Sequence, residues 1–126
     1  MEDRVSTLII AKPGRVRDCL QKALGAITSV EVVGQPGNGS SARAIIARHQ
    51  PALVLLLTDP LGDESWASTL RQIKTDWPQT SCLVLADNVR EQQAAKAGGA
   101  DGALLRCTRA RELFATVERL LPRGAM

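Results

Sequence analysis

Apolar runs and amphipathic segments alternate along the chain, with turn residues between them. Aliphatic residues dominate five short runs, which predict β-strands over residues 7–11, 30–33, 53–57, 82–86 and 103–105. The third run, residues 53–57, consists of Leu and Val alone and shows no polar alternation. That pattern is typical of a strand covered on both faces, as in the centre of a parallel sheet.

Helical spacing follows each of these runs. Apolar residues recur three and four positions apart, which predicts a helix after every strand. Gly25, Pro51 and Pro78 are placed to end the first three helices, and Ser40 or Ser41 to cap the second. The segments are marked by Val16, Cys19, Leu20, Ala23 and Leu24; by Ala42, Ile45, Ile46 and His49; by Trp66, Leu70, Ile73 and Trp77; by the short run 90–97; and by Leu113, Phe114, Val117, Leu120 and Leu121.

Five strand–helix units with short connections predict a doubly wound α/β fold, in which a five-stranded parallel sheet carries helices on both faces. We expect a single domain over residues 1–126, with its core at about 7–121. Folds of this kind bind ligands at the carboxyl ends of the strands, beside the topological switch point. The candidate site residues at those ends are Ala11, Lys12, Leu57, Thr58, Asp59, Ala86, Asp87 and Arg106.

Composition narrows the classes of function. The 16 Lys and Arg against 13 Asp and Glu give a net charge of +3, too small by itself to indicate nucleic-acid or membrane binding. With no Tyr, one Phe and two Trp, the chain has few rings on which bases stack. The longest apolar run, residues 52–57, is too short to cross a bilayer, and we expect a cytoplasmic location.

The three cysteines and the one histidine offer little chemistry. Cys19 and Cys82 fall on predicted core positions, which indicates buried free thiols. Cys107 follows Arg106, so a redox sensor with a cation-stabilised thiolate is one hypothesis, although an inert loop thiol is favoured. His49 has no second His or Cys beside it, and no nucleophile–base pair is evident. We therefore expect no metal, no cofactor and no enzymatic activity.

Four stretches of the chain match a known family. They are Val30-Glu-Val-Val-Gly34 with Asn38-Gly39, Pro51-Ala-Leu-Val-Leu-Leu56, Trp77-Pro78 before Cys82-Leu-Val-Leu85, and Gly99-Ala-Asp-Gly-Ala-Leu-Leu105. On these residues the chain resembles the receiver domain of two-component response regulators, most closely receivers of the LuxR or nitrate-regulator type. The resemblance implies the flavodoxin-like receiver fold over about residues 7–121. Because the matching stretches are mostly scaffold, they support the fold more than the chemistry.

The resemblance also implies a phosphorylation pocket, whose residues are replaced here. Receivers hold Mg²⁺ with an acidic pair after strand 1, and they read the phosphoryl group with a Thr or Ser after strand 4 and a Lys after strand 5. The acidic pair matches Ala11-Lys12, the hydroxyl matches Ala86, and the Lys matches Arg106, which alone keeps its charge. One hypothesis makes Lys12 an internal cation paired with Asp59 or Asp87, and the equally weighted alternative is a solvated lysine.

The phosphate acceptor is the fourth departure. Receivers place an Asp at the end of strand 3. Counting forward from Pro51, the matching position is Leu57, and counting back from Trp77 it is Thr58. We therefore predict a degenerate pseudo-receiver that acts in signalling and transcriptional regulation through phosphorylation-independent protein binding. One alternative is a Mg²⁺-dependent acceptor at Asp59. This residue is two positions after Leu57, so in an extended strand its side chain would point to the same face as that of Leu57. Another is a small-molecule sensor with a ligand in the vacated pocket.

Positive charge concentrates in the last strand–helix unit. The resemblance implies that helix 4, strand 5 and helix 5 form a face for a protein partner or a homodimer, while a solvated helix face is the favoured alternative. The candidate residues of that face are Arg90, Arg106, Arg109 and Arg111, and Arg119 and Arg123 extend the positive charge. Regulators of this type continue into a DNA-binding helix-turn-helix, which we expect to be absent from this chain.

Overall fold

A computed structural model of the chain describes residues 5–12, 14–27, 30–36, 39–58, 65–106 and 109–120. Strands and helices alternate through them: β1 (Val5–Ile10), α1 (Arg15–Gly25), β2 (Val30–Gly34), α2 (Gly39–His49), β3 (Leu53–Leu57), α3 (Trp66–Asp76), β4 (Ser81–Ala86), α4 (Val89–Ala97), β5 (Gly102–Leu105) and α5 (Ala110–Leu120). The strands pair in parallel in the order β2-β1-β3-β4-β5. The doubly wound α/β fold expected from the alternation is confirmed.

Two apolar clusters lie on opposite faces of the sheet, because successive side chains of a strand point to opposite sides. In β3, Val54 and Leu56 join the cluster covered by α2, α3 and α4. The other three residues of the strand join the cluster covered by α1 and α5. All five side chains of β3 are buried, which confirms the central strand that its uninterrupted apolar run predicts.

Two predicted core positions of α1 are wrong. Cys19 is exposed, and Val16 in the first turn is 43% exposed. The helix instead buries Leu20 and Leu24, which are one turn apart. Since neighbouring helical residues are about 100° apart around the axis, burying that pair turns Cys19 toward solvent.

The start of α2 and the exposure of its last residue differ from the prediction. The helix begins at Gly39, so Ser40 and Ser41 lie inside its first turn rather than at the cap. His49 is exposed, although it was expected to share the core face with Ala42. It is the last residue of the helix, beyond the stripe that packs on the sheet. Leu121, expected on α5, lies outside the described residues.

Lys74 ties together the edge of the sheet at which β4 and β5 begin. Its Nζ donates to the carbonyl oxygens of Pro78 at 3.2 Å and Thr80 at 2.9 Å, and it pairs with a carboxylate oxygen of Asp101 at 2.9 Å. The same oxygen of Asp101 accepts the N–H of Cys82 at 2.8 Å. These bonds fasten the end of α3 to the start of β4.

No described helix is long and apolar enough to cross a membrane.

Candidate functional site

Buried aliphatic side chains occupy the carboxyl ends of β1, β3 and β4. Ala11, Leu57 and Ala86 each have no exposed surface. Leu57 lies in the same apolar cluster as Ala11 and Leu85, on the sheet face covered by α1 and α5. The N–H of Ala11 donates to the carbonyl oxygen of Pro36 at 3.1 Å. The fold therefore brings these predicted site residues to one edge, but their side chains carry no atom that binds a metal or a phosphate.

Thr58 is the polar centre of this edge. It directly follows β3 and is only 7% exposed. Its Oγ1 donates to Oε1 of Glu91 at 2.5 Å and accepts the N–H of Asp87 at 3.2 Å. The N–H of Asp87 also reaches the same Glu91 oxygen, at 3.0 Å. Hydroxyl-to-carboxylate bonds of this length are among the stronger ones in proteins. They tie the end of β3 to the first turn of α4.

Glu91 was missed by the sequence analysis, although a signal for it existed. Asn88 caps α4, and its side-chain oxygen accepts the N–H of Glu91 at 2.9 Å. Asn88 and Glu91 have the spacing of a capping box, in which the Glu side chain turns back over the start of the helix. Here it reaches the N–H of Asp87, one residue before the cap, and this places it beside Thr58. The box was visible in the sequence, whereas its contact with β3 was not.

Lys12 and Asp87 are both exposed at the rim of this edge. They form no ion pair with each other in the described part of the chain. Asp59, the other predicted partner of Lys12, lies outside the described residues, as does Cys107. Within the ranges that the structure describes, no group of three or more His, Cys, Asp or Glu side chains is arranged to hold a metal ion.

Three of the four arginines predicted to form the partner face are exposed. Arg90 lies on α4, Arg109 directly precedes α5, and Arg111 lies on α5. Arg106 follows β5 and is half-buried. Its backbone N–H donates to the carbonyl oxygen of Ala86 at 2.9 Å. Because β5 is an edge strand flanked by α4 and α5, the four positions fall on neighbouring elements.

The described cysteines have different environments. Burial raises the pKa of the Cys82 thiol to about 12, an effect that nearby Lys74 opposes and Asp101 reinforces. The prediction of a buried free thiol is confirmed for Cys82, whereas Cys19 is free but exposed.

The chain matches no protein-family model. It is 28% identical over 119 residues to the response regulator protein VraR of Staphylococcus aureus. The match covers 91% of this chain and 56% of VraR. The chain thus spans about half the length of the curated relatives it matches.

Solved receiver domains share the fold. The receiver domain of NtrX from Brucella abortus has a TM-score of 0.83 at 23% identity, covering 91% of this chain and 97% of that one. The signal receiver domain of NarL from Mycobacterium tuberculosis has a TM-score of 0.81 at 22% identity, covering 94% and 97%. The flavodoxin-like receiver fold is therefore confirmed. The names of VraR and NarL are those of response regulators.

Proposed function

We propose that this chain is a receiver-like signalling domain that binds a protein partner without being phosphorylated. The observation that carries the proposal is Leu57. It ends β3, where the receiver family places its phosphate acceptor, and its side chain is fully buried in an apolar cluster. An aliphatic side chain offers no oxygen to which a phosphoryl group is transferred.

The described residues at the metal and hydroxyl positions of the family, Ala11, Lys12 and Ala86, do not fit the Mg²⁺ that receivers use. Mg²⁺ requires oxygen ligands at close to octahedral geometry, and carboxylates supply the charge that offsets its dehydration. Ala11 contributes only a methyl group, and Lys12 contributes a positive charge that repels a divalent cation. Ala86, at the position of the hydroxyl, adds neither oxygen nor charge.

The contact between Thr58 and Glu91 supports a pocket held in one state. The carboxylate of Glu91 on α4 accepts a hydrogen bond from the hydroxyl of Thr58, which follows β3. It accepts a second hydrogen bond from the N–H of Asp87. These bonds fix the loop after β4 and the first turn of α4 without any phosphate. Because α4 packs beside β5, they also support a constant shape for the surface formed by α4, β5 and α5.

We place the partner-binding surface on that α4–β5–α5 face. Arg90, Arg109 and Arg111 expose positive charge there, and Val89 beside Arg90 is 55% exposed. A surface of this kind fits a protein that presents acidic and apolar groups. In a symmetric dimer through this face the arginines of the two copies would approach each other, so we favour such a partner over a second copy. The LuxR-type resemblance makes transcriptional regulation the process we propose.

Amide NMR with Mg²⁺, followed by beryllofluoride as a phosphoryl mimic, tests phosphorylation independence. We expect no saturable shift at Lys12, Thr58 or Arg106. A receiver with an intact acidic pair is the positive control for the reagents. Saturable shifts that Asp59→Asn abolishes and Asp63→Asn preserves would contradict the proposal and establish Asp59 as the acceptor. Shifts on adding a compound that co-purifies would instead favour the small-molecule sensor.

Sedimentation velocity tests the preference for an acidic partner over a homodimer. We expect the unmodified chain to remain monomeric as its concentration is raised, because its exposed arginines disfavour self-association through the proposed face. The double variant Arg109→Glu, Arg111→Glu and the control Arg71→Glu on α3 should behave alike. A concentration-dependent dimer that the double variant abolishes and the control preserves would show that the partner is a second copy.

A further inference from the structure

A cavity lies at the amino ends of β3 and β4, opposite the edge described above. Its volume is about 430 Å³, and its walls are residues 50–52 after α2 and residues 76–80, which begin at the last residue of α3. A volume of this order accommodates a small molecule. None of these residues takes part in the proposed partner face or in the former phosphorylation pocket.

Hydrogen bonds hold the two walls together. The N–H of Ser81 donates to the carbonyl oxygen of Ala52 at 3.0 Å. The hydroxyl of Thr80 donates to the carbonyl oxygen of Pro51 at 3.4 Å. The N–H of Thr80 closes a turn onto the carbonyl oxygen of Trp77 at 3.0 Å. The cavity is therefore formed in advance of binding, which lowers the entropic cost of taking up a molecule.

The charges at this cavity favour a cation. Both α2 and α3 end beside it, and the carboxyl end of a helix carries a partial negative charge. Asp76 is the only ionisable residue in the walls. Arg48 and His49 lie in the last turn of α2 but not in the walls. Lys74 bonds to the carbonyl oxygens of the wall residues Pro78 and Thr80, and its charge is balanced by the ion pair with Asp101.

The remaining wall residues are suited to an organic cation rather than a metal ion. Trp77 is half-buried in the wall, and an indole ring attracts a cation through its negative face. Pro51 and Pro78 add apolar surface beside it. We propose that this cavity binds a small organic ammonium compound, whose charged nitrogen lies near Asp76 and Trp77 and whose carbon groups pack against the prolines.

Tryptophan fluorescence tests the proposal. Trp66→Phe leaves Trp77 as the only tryptophan of the full chain, which is then titrated with choline. The neutral control is the alcohol in which a tert-butyl group replaces the trimethylammonium group. We expect a saturable change with choline and binding about tenfold weaker for the alcohol, which lacks the cation–π attraction. Equal responses to both compounds, or no saturable response to choline, would overturn the proposal.

Two further measurements locate the binding. Asp76→Asn should weaken choline binding about threefold, whereas Asp18→Asn on the exposed surface of α1 should leave it unchanged. Amide NMR of the unmodified chain should place the shifts at residues 50–52 and 76–80, so the test does not depend on the tryptophan variant. Shifts elsewhere, or equal weakening by both variants, would refute the assignment. Since beryllofluoride reports on the opposite edge, this proposal and the proposed function fail independently.

Discussion

Leu57→Asp restores the residue type that receivers phosphorylate, but it puts a carboxyl group into an apolar cluster. Leu57 is fully buried among Ala11, Leu85 and the residues of α1 and α5 that cover them. Loss of a buried leucine side chain costs about 2–5 kcal/mol. Burial of a polar group without hydrogen bonds adds about 1–3 kcal/mol. Because a single domain has about 5–15 kcal/mol of stability, we expect a large loss in the free energy of unfolding.

Leu57→Asn is the matched control, since it loses the same packing without introducing a charge. Burial raises the pKa of the introduced carboxyl above its unfolded value of about 3.9. A group of this kind contributes its full stability below the unfolded pKa, and that contribution is lost as the pH rises through the folded pKa. The Asp variant should therefore become progressively less stable than the Asn variant between acidic and neutral pH.

Urea unfolding followed by circular dichroism at several pH values measures this difference, and amide NMR with Mg²⁺ and beryllofluoride measures the function. We expect no beryllofluoride binding by Leu57→Asp, because Ala11 and Lys12 still supply no metal ligand. A variant as stable as Leu57→Asn at every pH that also binds beryllofluoride with Mg²⁺ would refute this reasoning. The missing acceptor would then be what prevents phosphorylation, in spite of the replacements at Ala11, Lys12 and Ala86.

Two other predictions concern the edge of the sheet and the thiols. Thr58→Val and Glu91→Gln should each lower the free energy of unfolding by about 1–2 kcal/mol, and the double variant by less than their sum. The control is Thr7→Val, which removes another buried hydroxyl; its loss of unfolding free energy should simply add to that of Glu91→Gln. If the losses of Thr58→Val and Glu91→Gln were also additive, the contact between Thr58 and Glu91 would be contradicted. In the native chain, maleimide should modify exposed Cys19 and spare Cys82, whose thiol pKa of about 12 keeps it protonated at neutral pH. Peptide mass spectrometry reports both sites, and rapid labelling of Cys82 would contradict its burial.

Local patterns were sufficient to predict the fold and the edge of the sheet at which Ala11, Leu57 and Ala86 lie. The uninterrupted apolar run of β3 predicted a central strand, because a strand without polar alternation is stable only when both faces are covered. The order of strands and helices then placed Ala11, Leu57 and Ala86 at one edge. Their side chains already excluded carboxylate or hydroxyl chemistry at these positions, and the structure adds that they are buried.

Contacts between distant segments were decided only by the tertiary structure. Thr58 bonds to Glu91, which is 33 residues away, because the pairing of β3 with β4 brings α4 over the end of β3. Cys19 is exposed because the packing of α1 selects which side of its stripe meets the sheet. The cavity at the opposite edge likewise needs residues 50–52 and 76–80 side by side. Hydrophobic periodicity reports which face of an element is apolar, whereas these contacts depend on how one element is positioned against another.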